Sequence, residues 1–222
     1  MQTVIGSNGQ IGYELAKELN QTYGKQLRLV SRNPKSINDT DELISADILD
    51  REATIRAVAG SEIVYFAAGL PMDSEQWKTK FEIMLENVIQ ACKETKAKLV
   101  FFDNTYMYEK NDTEQFEDSK FIYDGIKSTV RAKMADRLVT EMENPDIDVM
   151  ICRAPEFYGP NKTQSITNSL LFNRVKDDKT ALVPISDQTL RTLIWTPDAS
   201  KAMALLANHP DTYNQTWHLP CD

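Results

Sequence analysis

The first twelve residues constrain the fold most, because an apolar run opens directly into a turn that carries three glycines. Thr3-Val4-Ile5 precedes Gly6-Ser7-Asn8-Gly9-Gln10-Ile11-Gly12, and apolar residues then recur at helical spacing. A strand that turns on glycines into a helix directs unpaired backbone N–H groups and the positive end of the helix dipole at one point, which suits a pyrophosphate. The pattern predicts a dinucleotide-binding turn, and an ordinary turn at Asn8-Gly9 is the alternative. The residues predicted to contact the dinucleotide here are Gly6, Asn8, Gly9, Gln10, Ile11 and Gly12.

The segment after this helix predicts which dinucleotide is bound. Residues 26–30 have the pattern of a second parallel strand, which ends in Ser31-Arg32-Asn33-Pro34-Lys35. Proteins that prefer NAD place an Asp or Glu here for the ribose 2′-hydroxyl, and this segment has neither. Arg32 can pair with a 2′-phosphate, with Ser31 beside it and Lys35 as a further cation. The sequence therefore favours NADP over NAD, and a solvated loop arginine is the alternative.

Two further strands are predicted before the middle of the chain. Residues 44–48 have the pattern of a third strand, and Asp50 is a candidate N-cap for a helix that runs through Val58. A fourth strand, residues 63–66, ends in small residues at the sheet edge where a cofactor must pass close to the backbone. The residues predicted to border the cofactor at this edge are Ala67, Ala68 and Gly69.

Composition excludes several other functions. A chain of 222 residues fits a single domain, and no apolar run approaches the roughly 20 residues that a membrane helix needs. The beginning of the chain lacks a signal-peptide pattern, so a cytoplasmic location is expected. The net charge of −8 offers no basic patch for nucleic acid, and three scattered cysteines with two histidines form no metal-ligand pattern. We expect no membrane, nucleic-acid or metal partner.

Four strings together resemble a known family. Phe101-Phe102-Asp103-Asn104-Thr105-Tyr106-Met107-Tyr108 is similar to the strand end at which short-chain dehydrogenase/reductases carry a catalytic Ser or Thr, and Asn104 stands in that place. Residues 130–135, 153–160 and 217–220 are similar to later segments of the extended and atypical members, in particular an uncharacterised NAD(P)-dependent epimerase/dehydratase-like branch. The spacing G-x-x-G-x-x-G also resembles theirs. This resemblance implies an α/β fold, a Rossmann-like doubly wound parallel sheet with helices on both faces.

The resemblance also implies how the chain is organised. Residues 1–222 are expected to form a single NAD(P)-binding domain with a small, partial substrate-binding region on the C-terminal side. Segments at about 161–195 are expected to be inserted toward the substrate, and the usual C-terminal portion is expected to be absent. A homodimer through helices at about 77–93 and 122–139 is implied as well.

The family's catalytic pattern is Y-x-x-x-K, which places Tyr and Lys one helical turn apart. Three pairs match it: Tyr13/Lys17, Tyr106/Lys110 and Tyr123/Lys127. The first falls in the helix after the glycine turn and the second in the loop after the fifth strand, so position favours the third, near the start of a helix through Val139. Lys127 is then expected to lower the pKa of Tyr123 and to hold the nicotinamide ribose, while Tyr123 transfers a proton and Asn104 donates to the substrate carbonyl.

The resemblance implies further contacts. Asp47 and Ile48 are expected against the adenine, although a plain turn carboxylate is an equal alternative for Asp47. Pro155 is expected beside the nicotinamide. Arg153 is expected either to bind an anionic substrate group or to pair with a nearby carboxylate. The other residues expected to face a small-molecule substrate are Tyr108, Tyr158 and Arg191.

Two functions follow from these expectations. The first is an NADP-dependent oxidoreductase or epimerase/dehydratase that acts by hydride transfer on a carbonyl or nucleotide-sugar substrate. Lys127, Tyr123 and the predicted cofactor edge favour it. The alternative is a non-catalytic regulator that binds NADP and senses redox state, favoured by Asn104 in the place of a hydroxyl and by the short C-terminal side.

Overall fold

The computed structural model describes residues 1–160, 165–183, 186, 188 and 190–221. Its centre is a seven-stranded sheet in the order β3-β2-β1-β4-β5-β6-β9, and every neighbouring pair is parallel. β7 and β8 form a separate parallel pair outside this sheet. The strands are β1 (Gln2–Ile5), β2 (Leu27–Ser31), β3 (Glu42–Ser45), β4 (Ile63–Phe66), β5 (Lys98–Asn104), β6 (Val149–Ala154), β7 (Glu156–Tyr158), β8 (Leu193–Trp195) and β9 (Gln215–His218).

Helices cover both faces of the large sheet, which confirms the predicted Rossmann-like α/β fold. Helices α1 and α6 pack on one face over Leu15, Leu29 and Met203, and α2, α3 and α4 pack on the other over Phe81, Leu99 and Ile151. Strands β1, β4 and β6 are buried at every residue, as expected for parallel strands that helices cover on both faces. The helices are α1 (Gln10–Tyr23), α2 (Arg51–Val58), α3 (Ser74–Thr95), α4 (Ile126–Met142), α5 (Asn173–Lys176) and α6 (Thr196–Ala207).

The strand order reverses between β1 and β4, and this reversal positions the candidate site. β1 pairs with β2 on one side and with β4 on the other, with Ile5 opposite both Val30 and Phe66. Crossover helices leave such adjacent strands toward opposite faces, and a crevice opens beyond their carboxyl ends. The glycine turn at residues 6–12 lies at this crevice.

Three predicted boundaries differ from the structure. β3 occupies Glu42–Ser45 rather than residues 44–48, because Asp47 forms a turn in which its Oδ1 accepts the Leu49 N–H. α3 begins at Ser74, before Trp77, because the Asp73 side chain caps it by accepting from two backbone N–H groups. α4 begins at Ile126, after Gly125 with φ of +85°.

Part of the expected substrate segment, residues 161–164, 184, 185, 187 and 189, lies outside the described residues. Among the helices that the structure describes, none is both long enough and apolar enough to cross a membrane.

Candidate active site

The glycine turn is locked against the neighbouring strand and helix. Gly6 has φ of +87°, and a Cβ on it would lie 2.5 Å from Ala68 Cα. A Cβ on Gly12 would lie 2.5 Å from the Gly6 carbonyl oxygen, while the Gly9 N–H donates to that same oxygen at 2.9 Å. The first and third glycines are therefore required for packing between β1, β4 and α1, and they fix the direction of the backbone N–H groups at the crevice.

Three buried polar atoms around this turn have no partner among the described residues: Ser7 Oγ, Gln10 Oε1 and Ser31 Oγ. Buried polar groups in folded proteins are nearly always hydrogen-bonded, so three unpartnered oxygens at the ends of β1 and β2 indicate a polar ligand. A dinucleotide offers pyrophosphate-bound water and ribose hydroxyls to such atoms, and the residues fit it. Gln10 and Ser31 are among the predicted contacts. Sequence reasoning missed Ser7, although it lies inside the glycine motif.

Asn8 connects the glycine turn to the loop that follows β2. Its Nδ2 donates to the Asn33 carbonyl oxygen at 2.7 Å, and its Oδ1 accepts the Lys35 N–H at 3.3 Å. Arg32 lies in the segment held by this bridge, and its exposed guanidinium has no hydrogen-bond or ion-pair partner in the described part of the chain. Asn8 thereby positions a free cation beside the turn.

The turn that follows β3 is ordered by a side chain from a helix. Asn87 of α3 donates from Nδ2 to the carbonyl oxygens of Ile48 and Leu49, at 2.9 and 3.1 Å. Asp47 is exposed and Ile48 is buried, so the carboxylate faces the solvent side of the crevice. Ala67 and Ala68 are half-buried and Gly69 is exposed, which leaves open backbone at the end of β4.

Asn104 and Lys127 lie on two elements that meet near an aromatic cluster. Asn104 ends β5, and its Oδ1 accepts the Tyr106 N–H at 3.0 Å, while its Nδ2 has no partner among the described residues. The Tyr106 ring stacks on Trp77 with centroids 5.8 Å apart and an interplanar angle of 18°. The Lys127 ammonium lies 5.3 Å from the centre of the Trp77 ring and 3.7 Å from Met72 Sδ. One amide donor and one ammonium are thus available at this edge.

Tyr123 does not share a helical turn with Lys127, contrary to the prediction. It precedes Gly125 and the start of α4, is 55 % exposed, and donates its hydroxyl to the Asp136 carboxylate. This hydrogen bond to Asp136 is the largest cause that raises the pKa of Tyr123. The positive φ of Gly125 interrupts the helix that the Y-x-x-x-K pattern requires.

Arg153 and Tyr108 belong to a buried cluster of charged and polar groups. Arg153 Nε lies 3.1 Å from Asp103 Oδ2, and its Nη1 donates to the Tyr108 hydroxyl. The same hydroxyl lies 2.8 Å from Nε2 of His218, whose backbone N–H donates to Glu117 at 2.9 Å. Arg153 and Tyr108 are each about 1 % exposed. The structure thus matches the carboxylate-pairing alternative for Arg153, and the Tyr108 hydroxyl contacts this cluster rather than the open cleft.

The substrate side contains a second ion pair that the sequence did not indicate. Glu156 of β7 accepts from the backbone and hydroxyl of Thr167, and its other oxygen pairs with the exposed Arg191. Tyr158 packs against Trp195 with ring centroids 5.1 Å apart. Pro155, half-buried, joins β6 to this sheet. The predicted Tyr158 and Arg191 therefore lie on one surface, and Arg191 is neutralised by Glu156.

Segments far apart in the sequence meet beside the glycine turn. Gln10 Nε2 donates to the Thr196 hydroxyl at 3.2 Å, where α6 begins. A Cβ on Gly159 would lie 2.0 Å from that hydroxyl oxygen and 2.6 Å from Gln10 Nε2, so only glycine fits between them. The glycine turn, the loop after β7 and the start of α6 are therefore packed as one unit.

Comparison with known proteins gives one family and many similar folds. Residues 3–218 match the model of the NAD dependent epimerase/dehydratase family. A search of curated protein sequences finds no match.

Similar solved structures include a dTDP-glucose 4,6-dehydratase from Streptomyces venezuelae with NAD bound. Its TM-score is 0.83 and its identity is 15%, over 99% of this chain and 75% of that chain. A UDP-glucose 4-epimerase from Thermus thermophilus with NAD has a TM-score of 0.80 at 15% identity, over 100% of this chain and 79% of that chain. A Bacillus cereus UDP-N-acetylglucosamine 4-epimerase has a TM-score of 0.85 at 15% identity, over 98% of this chain and 74% of that chain.

Proposed function

The chain belongs to the NAD dependent epimerase/dehydratase family, and on that premise we propose that it is an NADP-dependent enzyme of carbonyl or nucleotide-sugar chemistry. The observation that carries the proposal is the set of unpartnered oxygens on Ser7, Gln10 and Ser31 around a locked glycine turn. Such atoms destabilise a protein by about 1–3 kcal/mol each when they stay unpaired, and a bound dinucleotide relieves that penalty.

The preference for NADP rests on Arg32. Its guanidinium is exposed and unpaired within the described residues, and it follows β2 at the place where the ribose 2′-position is recognised. Arginine binds phosphate through parallel N–H donors, and no carboxylate in residues 31–35 repels a 2′-phosphate. Two similar structures contain NAD, whereas the argument for NADP rests on Arg32 of this chain.

The nicotinamide supplies the hydride acceptor or donor when the dinucleotide is bound. Lys127 places an ammonium over the Trp77 face, where it can hold the ribose hydroxyls of the nicotinamide half. Asn104 uses its oxygen for the Tyr106 N–H and keeps its NH₂ to donate to a substrate carbonyl oxygen. These two residues therefore orient the cofactor and polarise the substrate.

For the substrate we propose the surface formed by β7 and β8. Tyr158 and Trp195 offer apolar rings, and Glu156 with Arg191 offers a paired acid and base. Two similar structures, of MoeE5, hold UDP-glucose and UDP-glucuronic acid with NAD. We place a sugar or another polyhydroxylated carbonyl compound at this surface, with Pro155 at its boundary to the nicotinamide.

A second candidate is an NADP-binding regulator without chemistry. One observation favours it: Asn104 carries an amide that can donate a hydrogen bond but cannot relay a proton as a hydroxyl can. The two candidates predict the same nucleotide affinity. They differ in turnover, since only the enzyme oxidises NADPH in the presence of a carbonyl compound.

We further propose that two copies associate through α3 and α4. A groove of about 530 Å³ between these helices is bordered by Ile83 and Met134, and Ile83 is 50 % exposed. Ion pairs such as Arg137–Glu86 at 3.0 Å already hold the two helices together within one chain. Sedimentation of the wild type and of Ile83→Glu tests this, because a charge at the groove should shift a dimer toward the monomer and leave a monomer unchanged.

The function itself is tested by titrating the protein with NADPH and NADH while recording tryptophan fluorescence. Arg32→Glu should weaken NADPH binding by about 10-fold or more, as expected for loss of a charge-assisted phosphate contact, and should change NADH binding far less. Arg56→Glu, on the exposed side of α2 near its C-terminus, is the matched control. If neither nucleotide binds the wild type, the proposed function is wrong.

A further inference from the structure

Tyr106 lies at the candidate active site although its position in the sequence suggested only a loop. The Asn104 side chain accepts the Tyr106 N–H at 3.0 Å and fixes the turn that follows β5. The phenol ring then stacks on Trp77, which is 4 % exposed and is anchored by donating its Nε1–H to the Pro71 carbonyl oxygen at 2.8 Å. Tyr106 itself is only partly buried, so part of its side chain stays open to solvent.

Two cations share the aromatic cluster with Tyr106. The Arg131 guanidinium lies 5.2 Å from the centre of Trp77 and 4.5 Å from that of Phe81, and the Lys127 ammonium lies 5.3 Å from Trp77. Arg131 is 7 % exposed and its Nε has no partner among the described residues. The Arg131 charge therefore favours a negative charge on the Tyr106 oxygen, while burial of the phenol opposes it.

Tyr123 has a different environment. It is 55 % exposed, lies before α4, and its hydroxyl is already committed to Asp136. An exposed phenol bonded to a carboxylate retains its proton and lies outside the cluster of Asn104, Trp77 and Lys127. Tyr106 and Tyr123 both match the Y-x-x-x-K pattern, but only Tyr106 lies in this cluster.

We propose that Tyr106 is the catalytic acid and base, because the Asn104 side chain fixes its backbone and its ring stacks on Trp77, the ring over which the Lys127 ammonium also lies. This inference rests on the proposed function. In reduction, the Tyr106 Oη–H bond would break and the substrate carbonyl oxygen would gain that proton, and a bound reduced nicotinamide would supply the hydride to the carbonyl carbon. Oη keeps the electron pair, and solvent returns the proton. Oxidation runs the same steps in reverse.

The protonation state of Tyr106 agrees with this role. Burial raises the pKa of Tyr106, with the Arg131 charge lowering it and the Glu156 charge raising it, and the net direction is upward. The phenol is therefore protonated at neutral pH and ready to donate. Arg131 comes from α4 and Glu156 from β7, so both walls of the cleft act on this one hydroxyl.

The first test uses a spectroscopic reporter rather than turnover. Tyr106 is replaced by 3-nitrotyrosine, whose phenol ionises near neutral pH and absorbs visible light, and the midpoint of its titration is measured with and without saturating NADP⁺. The oxidised nicotinamide ring is positive, so the midpoint should fall by about 1 pH unit. The same replacement at Tyr23, at the far end of α1, is the control and should show no shift.

Binding of NADP⁺ to the wild type is measured by calorimetry in the same buffer. This second measurement distinguishes failure of the role of Tyr106 from failure of the proposed function. If NADP⁺ binds but the midpoint at position 106 does not shift, the role of Tyr106 is wrong and the proposed function stands. The same conclusion follows if the reporter at position 123 shows a larger shift. Absence of binding overturns both.

A second comparison does not depend on the reporter. Tyr106→Phe keeps the ring on Trp77 and removes only the hydroxyl, so it should lower the rate of NADPH oxidation by about 100-fold or more with the carbonyl compound that the wild type reduces fastest. The dissociation constant for NADPH should change by less than about threefold. Equal loss on Tyr213→Phe, whose hydroxyl donates to the Ala207 carbonyl oxygen at 2.8 Å, or a larger loss on Tyr123→Phe, contradicts the inference.

Discussion

Arg153 and Asp103 lie opposite each other on the paired parallel strands β6 and β5, and their side chains form an ion pair of 3.1 Å that solvent does not reach. Arg131 of α4 approaches the other oxygen of Asp103 at 3.6 Å. One carboxylate therefore compensates two buried guanidinium groups. The Tyr108 hydroxyl and His218 extend this cluster toward β9.

Asp103→Asn should destabilise the protein strongly, because it leaves two buried cations without their counter-charge. Removal of one partner from a buried pair typically lowers the free energy of unfolding by about 3–5 kcal/mol. Urea denaturation measures this change. The control is Glu94→Gln in the exposed Arg51–Glu94 pair at 2.7 Å, which should change stability by less than about 1 kcal/mol. Equal effects of the two variants would contradict the electrostatic account.

Gly6→Ala should disrupt the glycine turn beyond the effect of backbone strain alone. Gly6 and Gly60 both have positive φ, of +87° and +75°, but only at Gly6 would a Cβ meet neighbouring backbone, while at Gly60 it meets nothing within 4 Å. Gly60→Ala should therefore lower stability by about 1–2 kcal/mol, the penalty for a left-handed residue, with nucleotide affinity unchanged. Gly6→Ala should additionally weaken NADPH binding by about 10-fold or more. Denaturation and fluorescence titration report the two effects separately.

Stability should fall in mild acid through His218. Burial is the largest cause that lowers the pKa of His218, with Arg153 acting in the same direction and Glu117 against it. The unfolded chain then takes up the proton first, so stabilisation present above the unfolded pKa of about 6.5 is lost as pH falls through the folded pKa.

The measurement is the free energy of unfolding at about pH 7.5 and about pH 5.5. The difference should be smaller in His218→Gln than in the wild type. His209→Gln changes the other histidine, which is exposed, and should keep the wild-type difference. An unchanged difference in His218→Gln would exclude His218 as the titrating group.

Asn104→Asp should impair catalysis without disturbing the local turn. An aspartate oxygen can still accept the Tyr106 N–H, but the NH₂ donor is replaced by a negative acceptor. Loss of one donor to a developing oxyanion lowers kcat by about 100- to 1000-fold in comparable sites. NADPH affinity and the midpoint of urea unfolding should remain close to wild type. A rate within about threefold of wild type would show that Asn104 does not donate to the substrate.

The sequence predicted those features of the fold whose signal lies within a few neighbouring residues. Apolar strands, the glycine turn and the small residues after β4 each carry their signal within a few residues, and the structure has the predicted sheet with helices on both faces. The family resemblance likewise agrees with the match over residues 3–218. The observed ends of helices and strands differ from the predicted ends by two or three residues where a side chain caps a terminus, as Asp73 does for α3.

What the sequence could not predict arises from contacts between distant segments. Asp103 and Arg153 are 50 residues apart, and their pairing follows from strand register rather than from any motif. The pattern at Tyr123 assumed a continuous helix, and the positive φ of Gly125 became visible only in the folded backbone. Tyr106 lies in a loop by its sequence, and only the stack on Trp77 gives it a defined orientation.

The bond between Gln10 and Thr196 has a consequence for synthesis of the chain. These residues are separated by 186 positions, and Gly159 is enclosed between them. A nascent chain exposes its glycine turn early, but the partner that fixes Gln10 leaves the ribosome only after all of β1 to β8 has been made. The hydrogen bond that holds the Gln10 side chain, and the packing of Gly159 against it, can therefore form only after synthesis has reached α6.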